Sequence, residues 1–189
     1  SSRRLLAQLK SRQGHVEEAL TLLNGLAALP DVSDDEMALI QRDLGRALLE
    51  LGNDFESAIT AFEESFSLDG EVSTLRLIIE ASRQLDDVDR LIRALDSAVA
   101  FFDDAERLST LRELAALRSD SEQLEEVVTI LEELVSELPE DVGIIRQLME
   151  SLETLGRTEE LKRRYEGWIA DFGNRRMSGE NVYQNTTSR

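Results

Sequence analysis

Seven arginines are the side chains of this 189-residue chain whose type and spacing could do chemistry. Five of them, Arg4, Arg42, Arg76, Arg112 and Arg146, each stand two residues before a recurring aliphatic position; Arg46 and Arg83 lie one and two turns further along the same segments. The planar fork of a guanidinium pairs with a carboxylate through two hydrogen bonds, so such a ladder suits an acidic or carboxylate-bearing partner. A plainer role is also open. Glu80 follows Arg76 by four, Glu150 follows Arg146 by four, and Asp43 and Glu113 stand next to Arg42 and Arg112, so the ladder could be neutralised within the chain. A hydrophobic or mixed peptide groove with Leu39, Leu49 and Ser73 is a third reading.

Catalytic chemistry has little to work with. There is no cysteine, and His15 is the only histidine, so nucleophilic triads and zinc sites lack their residues. Neither a GxxxxGK[ST] nor a GxGxxG phosphate loop occurs. His15 falls in an expected inter-helix turn, where an exposed or capping role is its ordinary use. The clusters Asp34-Asp35-Glu36, Asp86-Asp87-Val88-Asp89 and Asp103-Asp104 lack the spacing of a calcium loop and suit helix starts instead. The expectation is a non-enzyme without metal or cofactor.

Composition bounds the class. The chain is 41% hydrophobic and 5% aromatic with two prolines, which suits an all-helical protein. A net charge of −18 opposes nucleic acid and anionic membrane as partners, because attraction to phosphate leads such binding. No apolar run approaches the ~20 residues of a membrane span, and no signal peptide is visible at the start. A soluble, cytoplasmic protein is the expectation, with no direct membrane insertion.

The elements that position the arginines are clearest between Leu44 and Gly70. Leu44, Leu48 and Leu51 share one helical face; Gly52 and Asn53 supply a break; Phe55, Ala58, Ile59, Phe62 and Phe66 resume the period. Two antiparallel helices follow, with Gly45 and Ala58 small where they cross and Phe62 filling the space beyond. The first-helix anchor Leu44 recurs as Leu6, Ile78, Leu114 and Leu148, in steps of 38, 34, 36 and 34 residues. The second-helix anchor Ala58 recurs as Ala19, Leu91, Val127 and Leu161, at 13 or 14 residues from its first anchor throughout. So constant a separation marks a five-fold repeat.

The units run over residues 1–30, 36–70, 72–102, 107–139 and 141–173. Ser1 or Ser2 caps the first, Gly14-His15 turns it, and Pro30 ends it; Ser33 or Asp34 caps the second. In the third, Asp86-Asp87 replaces the glycine turn, and Val88, Leu91, Leu95 and Ala98 form the inner stripe. The fourth carries Leu111, Leu114 and Leu117, then Leu124, Val127, Leu131 and Leu134. The fifth carries Ile145, Leu148, Leu152 and Leu155, then Leu161, Tyr165, Trp168 and Ile169. Residues 174–189 are polar, lose the helical period and are expected to be flexible. Asn185-Thr186-Thr187 is a weak glycosylation signal. Tyr165 and Trp168 either cover the end of the last unit, with Val182 and Tyr183 folded back, or form an interface.

With Leu44-Gly45, Leu48, Gly52, Phe55, Ala58, Phe62 and Ser65, the second unit resembles the tetratricopeptide repeat. The resemblance implies a right-handed superhelical α-solenoid of stacked antiparallel helix pairs that serves as a scaffold for protein or peptide binding. By that resemblance Arg4, Arg42, Arg76, Arg112 and Arg146, with Arg46 and Arg83, would line the concave face. Members that bind chaperone tails also use asparagines in the first two units, where this chain has Gln8 and Asp43. The aromatic expected early in each first helix is missing, and Leu91, Val127 and Leu161 replace the small second-helix residue, which should widen helix spacing. Alternatives are self-association through the ends and convex face, or a docking arm of a larger multidomain protein.

Overall fold

A computed structural model describes residues 2–52 and 54–177. Among them are ten α-helices and no strand: α1 (Ser2–Arg12), α2 (Val16–Ala27), α3 (Asp34–Gly52), α4 (Phe55–Asp69), α5 (Val72–Gln84), α6 (Val88–Val99), α7 (Asp104–Asp120), α8 (Leu124–Glu137), α9 (Val142–Thr154) and α10 (Thr158–Met177). They fall into two compact units, residues 1–117 and 118–189. In the first, α1 packs on α2, α2 on α3, α3 on α4, α4 on α5 and α5 on α6, and α1 also touches α3. In the second, α8 packs on α9 and α9 on α10.

The sequence dictates where helices start and stop. Asp54, Asp87 and Asp141 accept hydrogen bonds from Ser57, Arg90 and Gly143 backbone N–H groups, so each carboxylate satisfies a free donor at a helix start. Ser33 does the same for Glu36, and Asp103 for Glu106. Turns within a pair need one residue in the left-handed region: Gly14 (φ 81°), Asp86 (φ 54°), Glu122 (φ 60°) and Gly156 (φ 69°). After three of them the next N–H donates five residues back, His15 to Lys10, Gln123 to Arg118 and Arg157 to Leu152, which closes the preceding helix. Asp86 and Glu122 thus hold a conformation that glycine adopts at lower cost.

Helix α3 crosses α4 closely. A Cβ on Gly45 would lie 2.5 Å from the Phe62 ring, which is wholly buried beside Ala58 and Ile59. Close approach there requires glycine, as the sequence suggested. Ile78, Leu114 and Leu148, the anchors of the last three units, are buried, and so is Ala19 in the first.

Four expectations shift. Leu6 is 44% exposed and Ala7 takes the buried place, because α1 is rotated so that Arg4, Ala7, Gln8 and Ser11 turn toward α3. Val88 is exposed, and Ile92 and Ala94 join Leu95 and Ala98 in the core. Helix α7 starts at Asp104, three residues early, since Asp103 can cap it. Helix α10 continues to Met177, past the expected boundary at 173. Asn53, the proposed fold-back of Val182 and Tyr183, the rest of the polar tail and Asn185 lie outside the described residues.

Candidate functional site

Arg4, Arg76 and Arg83 are engaged by carboxylates one repeat away, and Arg42 by one within its own repeat. Nη1 of Arg4 on α1 donates to Asp43 on α3 (3.3 Å), and the Gln8 amide donates to both Asp43 oxygens (3.0 and 2.8 Å). Asp43 is buried and is satisfied by these donors. Ser11, one heptad beyond Arg4, donates to Glu50, one heptad beyond Asp43. Arg42 is half-buried and meets Asp69 at the end of α4. Nε of both Arg4 and Arg42 is buried without a partner.

The same heptad geometry joins α5 to α7. Arg76 forks onto Glu106 (2.7 and 2.6 Å), and Arg83 forks onto Glu113 (3.2 and 2.7 Å). Two turns of helix, ~10 Å, separate the rungs on both sides, so a register that closes one closes the other. Arg76 also lies over the Phe102 ring, 5.4 Å from its centroid, and Phe66 meets Phe101 edge-on. The hydrogen bonds to Glu106 and Glu113 raise the pKa values of Arg76 and Arg83.

Second helices are laced in the same way. Arg90 on α6 reaches Glu63 on α4 (3.3 Å); Arg157 reaches Glu125 on α8 (2.9 Å), and Arg164, a heptad on, reaches Glu132. Hydrogen bonding to Glu160 raises the Arg157 pKa. None of these partners is the i+4 glutamate named from the sequence; Glu80 instead contacts Arg83, at 3.5 Å. The signal in the sequence was the matched pair of heptads, Arg76 and Arg83 against Glu106 and Glu113.

Arg112 does not continue the rung of Arg76. The residue facing Arg76 on α7 is Glu106, six residues before Arg112, so Arg112 stands at the level of the Arg83–Glu113 pair, exposed and itself engaged. Arg146 is exposed on α9 in the second unit. Arg46 on α3 is 52% exposed at the side chain and only 4.0 Å from Asp43. It borders an open cleft of about 90 Å³ between α1 and α3, shared with Gln8, Ser11, Arg12 and Glu50. Ser11, Arg12 and Glu50 are cleft residues that the repeat pattern did not single out.

Tyr165, Trp168 and Ile169 are exposed on α10. His15 is exposed and precedes α2, with Nδ1 3.5 Å from Glu18. Within the acidic clusters Asp87 and Asp103 cap helix starts, and no group of three or more His, Asp or Glu among the described residues could hold a metal. No described helix is long and apolar enough to cross a membrane.

No protein-family model matches the sequence, and no curated protein matches it. Solved structures do. The chain superposes on MamA from AMB-1 with a TM-score of 0.51 at 16% identity, over 100% of this chain and 97% of that one. A double mutant of MamA from RS-1 gives 0.50 at 20%, over 95% and 96%. YrrB, described as a TPR protein with an unusual peptide-binding site, gives 0.50 at 13%, over 89% and 84%. At these identities the likeness establishes the fold, a tetratricopeptide-type solenoid of stacked helix pairs.

Proposed function

We propose that this chain is a non-catalytic protein-interaction scaffold that takes an acidic, extended segment of a partner protein into the cleft between α1 and α3. The observation that carries the reading is the state of the cleft's charges. Asp43 and Glu50 are already occupied by Arg4, Gln8 and Ser11, whereas Arg46, at 4.0 Å the loosest partner of Asp43, and Arg12 are exposed at the border of the opening. A carboxylate arriving there meets donors whose local counter-charges are spent. The peptide-binding description of YrrB, which shares the fold, agrees with this use of a helical-repeat scaffold.

Arg76 and Arg83 contribute differently from the full-ladder reading. Each is forked onto a glutamate and would have to exchange that bond for a partner's, with little net gain. Their work is to hold α5 and α7 in register. Arg146 is the candidate contact of the second unit.

The test is a fluorescence-anisotropy titration of labelled acidic peptides, with an all-lysine peptide as control. Affinity should fall steeply with salt, and Arg46→Glu should weaken it by about tenfold, a loss of one charge-assisted contact. Arg146→Glu should leave cleft binding unchanged. Equal affinity of the Arg46→Glu variant would dismiss the cleft. The exposed Tyr165, Trp168 and Ile169 favour a second reading, self-association through α10. Concentration-dependent mass that Tyr165→Ser with Ile169→Ser abolishes would support it.

A further inference from the structure

Helix α1 presents two unlike faces. Toward α3 it sends Arg4, Ala7, Gln8 and Ser11. On the opposite side Leu5, Leu6 and Leu9 are 61%, 44% and 52% exposed. Residues 5 and 9 stack one turn apart and Leu6 widens the stripe, the pattern by which helices of this chain meet one another. An aliphatic stripe of this kind on a folded surface marks a contact site.

Charge selects the occupant. Helix α1 carries Arg3, Arg4, Lys10 and Arg12 and no carboxylate, within a chain of net −18. Arg4 is held by Asp43 and Lys10 by Glu18 at 2.8 Å. Arg3 and Arg12 remain, one toward each end of the stripe, and neither meets a carboxylate among the described residues. Beside Arg3, the neighbour of Leu6 one turn away, opens a cavity of about 320 Å³ lined by Leu26, Leu29, Pro30, Val32 and Ile40, with Asp31 and Glu36 also in its wall. Leu29 there is exposed. The surface therefore offers a leucine ridge, a pocket whose wall is mostly aliphatic, and two guanidiniums at the border.

We propose that the outer face of α1 docks an amphipathic helix of a partner protein whose apolar stripe is bordered by carboxylates. One large apolar side chain of that helix fills the pocket beside Arg3, and its glutamates or aspartates meet Arg3 and Arg12. The chain already builds such a seam inside its first unit, where Arg76 and Arg83 close on Glu106 and Glu113 alongside packed apolar residues. A second copy meeting α1 on α1 would bring eight basic side chains together. The leucine stripe lies across α1 from Arg46, and Arg12 borders both surfaces, so the two are separated by Arg46→Glu on one side and by the leucine substitutions on the other.

The probe is a fluorescein-labelled peptide with the sequence of residues 124–137, LEEVVTILEELVSE, an amphipathic helix with five glutamates and no basic residue. Anisotropy with the whole chain should report saturable binding. Leu5→Ser with Leu9→Ser, both at exposed sites that leave the fold intact by circular dichroism, should weaken it about tenfold or more. Arg3→Glu should weaken it several-fold, and in an Arg46→Glu background, which removes binding in the cleft, the dependence on Leu5, Leu9 and Arg3 should persist. A peptide with all five glutamates changed to lysine should not bind. The proposal is overturned by failure of the peptide to bind, or by binding indifferent to the two leucines, as insertion in place of α8 would give. It is overturned equally by α1-dependent binding to phosphatidylserine vesicles without peptide binding, or by leucine-dependent dimerisation of the free chain.

Discussion

Replacing Gly45 by alanine reverses the usual sign of a glycine-to-alanine change. In an unhindered helix interior alanine is favoured by about 1 kcal/mol, because it loses less backbone freedom. At Gly45 the new Cβ would lie 2.5, 2.7 and 2.8 Å from three carbons of the Phe62 ring, and that ring is fully buried. Relief requires α3 and α4 to separate or the ring to leave its rotamer, and overpacking of this kind costs about 1–3 kcal/mol. Three ring atoms inside contact distance put the cost near the upper end, so the net loss is ~1–2 kcal/mol. Urea denaturation followed by circular dichroism measures it as a lower midpoint. Phe62→Leu, which empties the space the methyl needs, should cost at least ~1 kcal/mol less in the Gly45→Ala background than alone. A higher midpoint for Gly45→Ala, or strict additivity of the pair, would refute the reasoning.

Other substitutions test separate parts of the account. Asp43→Ala removes the acceptor shared by Arg4 and Gln8 and should cost about 2–3 kcal/mol in denaturant titration, because both donors are left partly buried. The hydroxyls of Ser65 and Thr74 are buried without partners, so Ser65→Ala and Thr74→Val should be neutral or stabilise by up to ~1 kcal/mol; clear destabilisation would contradict this. Lys10, by hydrogen bonding, holds the Glu18 carboxyl below the ordinary glutamate range. The folded-state pKa is lowered, so the pair stabilises the α1–α2 hairpin above the ordinary glutamate value and loses that effect as pH falls through the lowered one. In an NMR titration Lys10→Met should raise the Glu18 midpoint; an unchanged midpoint would count against the contact.

What was legible in the sequence follows from the range of the interactions. Gly45, Ala58 and Phe62 lie within one hairpin, where helical period and a short turn fix who meets whom, and their crossing was readable. The repeat of anchors placed ten helices because each turn recurs at nearly constant distance. Left-handed Asp86 and Glu122 were harder, since only the repeat, not the residue type, demanded a turn there. Leu6 was misplaced because a short helix can rotate by one position and exchange a leucine for Ala7. The arginine partners were the least readable. They lie 27–39 residues away on neighbouring or parallel helices, and which carboxylate closes each pair depends on axial offset, as Glu106 in place of Glu113 at the level of Arg76 demonstrates. Local i+4 counting has no access to that offset.

Backbone amide chemical-shift mapping of the whole chain against a saturating acidic peptide tests the scaffold claim most directly. The largest perturbations should fall on residues 8–12 of α1 and 43–50 of α3, and vanish in Arg46→Glu. Perturbations confined to α5 and α7 around Arg76 and Arg83, or to α10 around Tyr165, would contradict the cleft and move recognition to those surfaces.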